Sequence, residues 1–78
     1  GGMRWVHVDD DVVVYMREDS EQRLLIAVAR EAVGEVRLRA SDWNIREVAP
    51  VFGYTAALDA DELCIRVTDA GGGIWRVS

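Results

Sequence analysis

The sequence predicts an all-β protein, a small antiparallel β-sandwich with Greek-key-like connections and about seven short strands. Three observations carry this expectation. Apolar residues recur with a period of two rather than 3.6 over most of the chain. The candidate strands succeed one another at intervals of roughly 8–12 residues, joined by acidic or glycine-containing turns, which is the spacing of sandwiches and barrels. The chain has 78 residues, enough for one small domain and no more.

Trp5-Val6-His7-Val8 is the first strand, closed by Asp9-Asp10-Asp11, whose side chains favour turns over strands. Val12 to Arg17 is the second, rich in β-branched and aromatic residues that suit a pleated surface. The polar stretch Glu18 to Gln22 closes a hairpin onto Arg23 to Ala29, whose continuous apolar run suits a strand covered on both faces. Gly34 turns the chain into the alternating Glu35 to Arg39. Between Ser41 and Ala60 the pattern weakens. A capped helix ending at Pro50 competes there with short strand pieces around Trp43 to Val48 and Val51 to Tyr54, and the strand pieces are preferred. Leu63 to Val67 alternates clearly; Asp69 to Gly73 reads as a loop, and Ile74 to Val77 as the second arm of a closing hairpin. Gly1-Gly2-Met3 reads as a tag remnant and start methionine, leaving 4–78 as the domain.

Alternation assigns faces. Val12, Val14 and Met16 are expected inside, with Leu24, Ile26 and Val28, which carry more volume than their alternates; Val36, Leu38, Leu63, Ile65 and Val67 follow. That choice leaves Val13, Tyr15, Leu25, Ala27 and Ala29 on the outward face, too apolar for an ordinary solvated sheet. An apolar patch of that kind marks an interface.

Composition removes several functions. Nine arginines and no lysine against fourteen acids give a net charge of −5, which argues against nucleic acid, since phosphate contacts need clustered cations. No apolar run reaches the roughly 18 residues of a membrane span, so a soluble chain is expected, with a cytoplasmic location favoured. One cysteine, Cys64, and one histidine, His7, provide neither a disulfide nor the usual metal cages, and no metal or cofactor is expected. His7 with Ser20, Ser41 or Ser78 lacks a nucleophile elbow. The triad Asp9-Asp10-Asp11 lacks the alternation of a calcium loop and reads as a solvated turn. Gly71-Gly72-Gly73 has no phosphate-loop ending and reads as a flexible connection. Aromatic faces stack on sugars, which makes Trp43, with Tyr54, the candidate carbohydrate contact; a lid over the core is the plainer use.

Several segments in their order resemble the C-terminal all-β domain of the alpha-amylase family, glycoside hydrolase family 13, especially its maltogenic-amylase and neopullulanase-like members. They are Asp10 to Arg17, Arg23 to Arg30, Trp43 to Val48, Leu63 to Val67 and Gly72 to Val77; Ala29 stands where asparagine is common. The resemblance implies a non-catalytic accessory domain, since the family's catalytic carboxylates lie on a separate barrel. It implies that barrel, in the same parent chain, as partner, with alpha-glucan as a possible ligand. Val13, Tyr15, Leu25 and Ala27 then form the docking face, and a strand ending the chain suits a C-terminal domain. The competing expectation is an independent β-sandwich module that binds carbohydrate or protein.

Overall fold

The structure, a computed structural model, describes residues 2–78 and consists of two antiparallel sheets packed face to face. Its strands are β1 (Gly2–Val8), β2 (Val12–Glu18), β3 (Arg23–Ala29), β4 (Gly34–Arg39), β5 (Val48–Gly53), β6 (Ala56–Asp59), β7 (Glu62–Val67) and β8 (Gly71–Val77). Five form one sheet in the order β1-β2-β3-β8-β5, and three form the other as β4-β7-β6. The run β5 to β8 crosses to the smaller sheet and returns β8 beside β5, a Greek-key-like path. Among the described residues no helix is long and apolar enough to cross a membrane.

Several details differ from the sequence reading. The weak region holds two strands, β5 and β6, which brings the total to eight, and its helical signal shrinks to a 3₁₀ turn at Ala40–Trp43. That turn is capped from a distance: the Asp61 carboxylate accepts the Ser41 N–H (2.8 Å) and hydroxyl (2.7 Å). Pro50 is tolerated because β5 is an edge strand. Gly2 and Met3, set aside above, belong to β1 and pair with Glu18 and Arg17.

Gly71-Gly72-Gly73 is not a loop but the first half of β8, and β7 and β8 form no hairpin, because they lie in different sheets. The glycines answer to close neighbours rather than to flexibility. A Cβ on Gly73 would come within 2.7 Å of the Trp75 ring, and one on Gly72 within 2.9 Å of the Ala27 carbonyl oxygen. Gly53, at φ +78° on β5, comes so near that its Cβ would sit 1.9 Å from the Gly72 carbonyl oxygen.

The inward assignments hold for β2, β4 and β7, but the face of β3 is reversed. Leu25 and Ala27 are wholly inaccessible and Ala29 is buried, while Leu24 and Ile26 are half-buried and Val28 is 52% exposed. The pairing explains it: Met16 faces Leu25, Val14 faces Ala27 and Val12 faces Ala29, and residues paired across a ladder share a face. Volume was a misleading guide, because the space beside small Ala27 and its partner Gly73 is taken by the indole of Trp75. Among the described residues the buried set is entirely apolar in residue type, and no charged residue is buried.

Two hairpin turns use one device. The Asp9 N–H donates to the Val12 carbonyl (3.0 Å), and its Oδ1 accepts the amides of Asp11 (2.8 Å) and Val12 (2.9 Å). Asp19 does the same with the Gln22 carbonyl and the amides of Glu21 and Gln22. The amide of Asp11 above all, then the His7 ring nitrogen 2.9 Å from Oδ2, hold the Asp9 carboxyl down at about 2. The turn amides of Glu21 and Gln22 likewise lower Asp19.

Two outcomes follow from this geometry. Leu25→Ala should lower the unfolding free energy by about 2–5 kcal/mol, whereas Val28→Ala should change it by about 0.5 kcal/mol or less, as read by urea denaturation. Equal losses at the two positions would contradict the β3 assignment. The depressed Asp9 carboxyl stabilises the fold above its unfolded value near 3.8, and that contribution is lost as pH falls through about 2. Unfolding free energy should therefore drop between about pH 4 and pH 2, and drop less steeply in Asp9→Asn.

Candidate functional site: the outer face of the large sheet

Strand pairing places one residue from each strand of the large sheet in a single cross-strand row. Trp5 pairs with Tyr15, Tyr15 with Ile26, Ile26 with Ile74 and Ile74 with Phe52. All five are apolar or aromatic and all point away from the core. The row's ends are the most open, with Trp5 58% and Phe52 66% exposed. Trp5 and Tyr15 meet edge to face, with ring centroids 5.7 Å apart. A bulge at Val6, where the β1 register shifts, brings Val8 opposite Val13 on the same side, and Val13 in turn pairs with Val28. The third row runs Met3, Arg17, Leu24, Arg76, Ala49. At about 4.8 Å between strands and about 6.8 Å between alternate residues, the patch is roughly 19 Å wide and on the order of 300 Å² in projection.

The outer face of the small sheet is its opposite in character. It carries Glu35 and Arg37 on β4, Glu62, Cys64 and Arg66 on β7, and Ala57 and Asp59 on β6. Arg37 lies 2.9 Å from Glu35 and 3.8 Å from Glu62. That mixed-charge surface is what a solvated sheet face normally shows. The apolar face is therefore specific to one sheet.

Of the expected docking residues, Val13 and Tyr15 lie on this outer face. Leu25 and Ala27 do not: they are core, and Leu24, Ile26 and Val28 occupy their place outside. Trp5, Ile74 and Phe52 are the members that the sequence reading missed. No face was assigned on the first or the last strand, and Phe52 lies in the region without clear periodicity.

The candidate sugar contacts are not brought together. Tyr54 is 8% exposed, its hydroxyl donates to the Asp69 carbonyl (2.6 Å), and it packs against Gly71 and Gly73 at the start of β8. Burial, then Asp69, raise its phenol above the usual value. Trp43 sits at the other end of β8. Its carbonyl accepts from Arg23, which pairs with Val77, and the Arg4 guanidinium covers its ring at 5.7 Å. Trp43 is half-buried against the core and one ring face is occupied, which fits the lid role. A stacking platform built from Trp43 and Tyr54 together is therefore not formed.

The remaining reactive groups are committed locally. The Cys64 thiol donates to Glu35 Oε2 (3.2 Å), and burial, then that carboxylate, push its pKa up, so it is a thiol and not a nucleophile at neutral pH. Within the acidic triad, Asp9 serves the turn amides and Asp11 pairs with Arg30 at 3.1 Å. Comparison with protein-family models gives no matching family, and comparison with curated protein sequences gives no match.

The geometry fixes how the three tryptophans should respond to solvent. Trp5 is open, Trp43 half-covered and Trp75 only 1% exposed. Acrylamide should quench mainly the Trp5 emission, and Trp5→Phe should remove most of the accessible fraction. A hydrophobic dye should bind the wild-type chain and bind Trp5→Ser/Phe52→Ser more weakly. Unchanged quenching in Trp5→Phe would mean that this face is covered.

Proposed function

We propose that this chain is a non-catalytic accessory β-sandwich domain whose large-sheet outer face packs on a larger protein body. The partner that the sequence resemblance points to is the catalytic barrel of an alpha-amylase-family glycoside hydrolase, carried by the same parent chain. One observation carries the docking reading: the apolar row Trp5–Tyr15–Ile26–Ile74–Phe52, continuous across all five strands. A solvated sheet has no use for such a row, and leaving it wet forgoes hydrophobic free energy at about 25 cal/mol per Å². The contrast with the charged outer face of the small sheet supports the same reading, since the chain evidently maintains a polar face where it needs one. The role is mechanical: the domain covers apolar surface on its partner and so stabilises it, or helps shape how a substrate is presented. An independent module that binds protein would use the same face. An independent sugar-binding module finds less support, because Tyr54 is buried and Trp43 lies under Arg4.

Activity and binding assays test this reading. The isolated chain should release no reducing sugar from starch, maltodextrin or cyclodextrin, and maltooligosaccharide should not shift the Trp43 indole signal. Added to a maltogenic-amylase-type barrel lacking its own C-terminal domain, the chain should co-elute with it, raise its Tm and blue-shift the Trp5 emission. Purified turnover abolished by mutating a single acid, or a saturable shift confined to Trp43, would overturn the accessory reading. A barrel left unaffected by the chain would remove the amylase partner.

A further inference from the structure

We propose that the outer face of the large sheet recognises a protein surface of one chemistry: an apolar centre flanked by carboxylates that pair with Arg17 and Arg76. This rests on the docking reading above and adds the chemical character of what docks.

The charge distribution is the first reason. The chain has fourteen acids and nine arginines, yet the only charged side chains in the three rows of this face are Arg17 and Arg76. They lie in one row with Leu24 between them, about 10 Å apart at two strand spacings. Among the described residues neither forms an ion pair, as is also true of Arg39, Arg46 and Arg66 away from this face, whereas Arg4 and Arg23 share Glu18, Arg30 meets Asp11 and Arg37 meets Glu35. Covering this face would strip water from two guanidinium groups beside an apolar centre. An unpaired charge at a buried interface is costly, so a stable partner must bring carboxylates to that row.

Shape is the second. Beside Arg17 the surface dips into a concavity of ≈ 670 Å³ lined by Met3, Leu24 and Ile26 on its apolar side. Its two acids are engaged already, Glu18 by Arg4 and Arg23, and Asp19 Oδ1 by the turn amides of Glu21 and Gln22. What fits is an apolar side chain with a carboxylate next to it.

Two other occupants suit the charges poorly. A second copy set face to face would bring four arginines and no carboxylate to one interface. A lipid surface would accept Trp5 and Phe52, but anionic headgroups call for clusters of about 4–8 basic residues, and this chain carries −5 overall.

The test uses two synthetic amphipathic peptides with identical apolar residues, one flanked by glutamates and the other by lysines, titrated into the ¹⁵N-labelled chain. The glutamate peptide should shift the amides of Met3, Arg17, Leu24, Ile26 and Arg76 and bind about tenfold tighter than the lysine peptide. The double variant Arg17→Glu/Arg76→Glu should reverse that preference while its core amide signals stay in place. Equal binding of the peptides, binding of neither, or an unreversed preference would overturn the proposal. So would a wild-type dimer in sedimentation equilibrium that Phe52→Ser dissolves, or recruitment to phosphatidylserine vesicles. Barrel docking that survives the double charge reversal would keep the docking reading and discard this one. A peptide preference without barrel docking would do the reverse.

Discussion

Trp75 must lie between the two sheets, and the room for it comes from its own strand and the next. It is the largest fully buried side chain, and its ring lies over Gly73. Gly73 pairs with Ala27, so both positions beside the indole are small. Among the described residues no acceptor reaches the indole N–H, and an unpaired buried donor costs about 1–3 kcal/mol. Burying some 150–250 Å² of aromatic surface contributes about 4–6 kcal/mol, so area prevails over the unpaired donor. Once the small residues of β3 line the interior, alternation sends its larger ones, Leu24, Ile26 and Val28, outward. The apolar outer face is thus the other side of the arrangement that seats the tryptophan.

That link makes the sandwich two-sided in chemical character as well as form. The small sheet presents ion pairs to water, and the large sheet presents aliphatic and aromatic groups bordered by arginines. No histidine, cysteine or carboxylate lies in the rows of the large face. A surface so built offers area and charge matching, which are the requirements of association.

Much of this was legible in the residues. Alternation in Val12 to Arg17, Glu35 to Arg39 and Leu63 to Val67 gave the correct strands and the correct inner faces, because each has one side clearly more apolar than the other. The third strand has no such contrast, since Arg23 is followed by six apolar residues, and parity there depends on the turn before it. The signal was present in Asp19, whose spacing to Gln22 repeats that of Asp9 to Val12 and closes a hairpin with Glu18 opposite Arg23. Counting back from that pair places Leu25 opposite Met16. The glycine run of β8 was illegible for a different reason. Glycine signals turns on statistical grounds, but here it answers to an indole and the Ala27 carbonyl oxygen, which only the tertiary structure brings near. Tyr54 was misread likewise, because its role is set by the distant carbonyl of Asp69.

The position of β8 has a kinetic side. It is the last strand in sequence, yet it fills the slot between β3 and β5, with Arg23 pairing to Val77 and Gly53 to Gly73. Until it arrives, the large sheet is a three-stranded meander with β5 detached, and both β3 and β5 present bare hydrogen-bonding edges. The meander can assemble from local contacts alone, whereas insertion closes a loop of more than forty residues between Ala29 and Gly71. Non-local pairing of this kind places the chain among the slower small folders, in the millisecond-to-second range. During that interval the wholly apolar segment Leu24 to Ala29 is open along one edge, so crowding by other nascent chains is the moment of greatest hazard for this molecule.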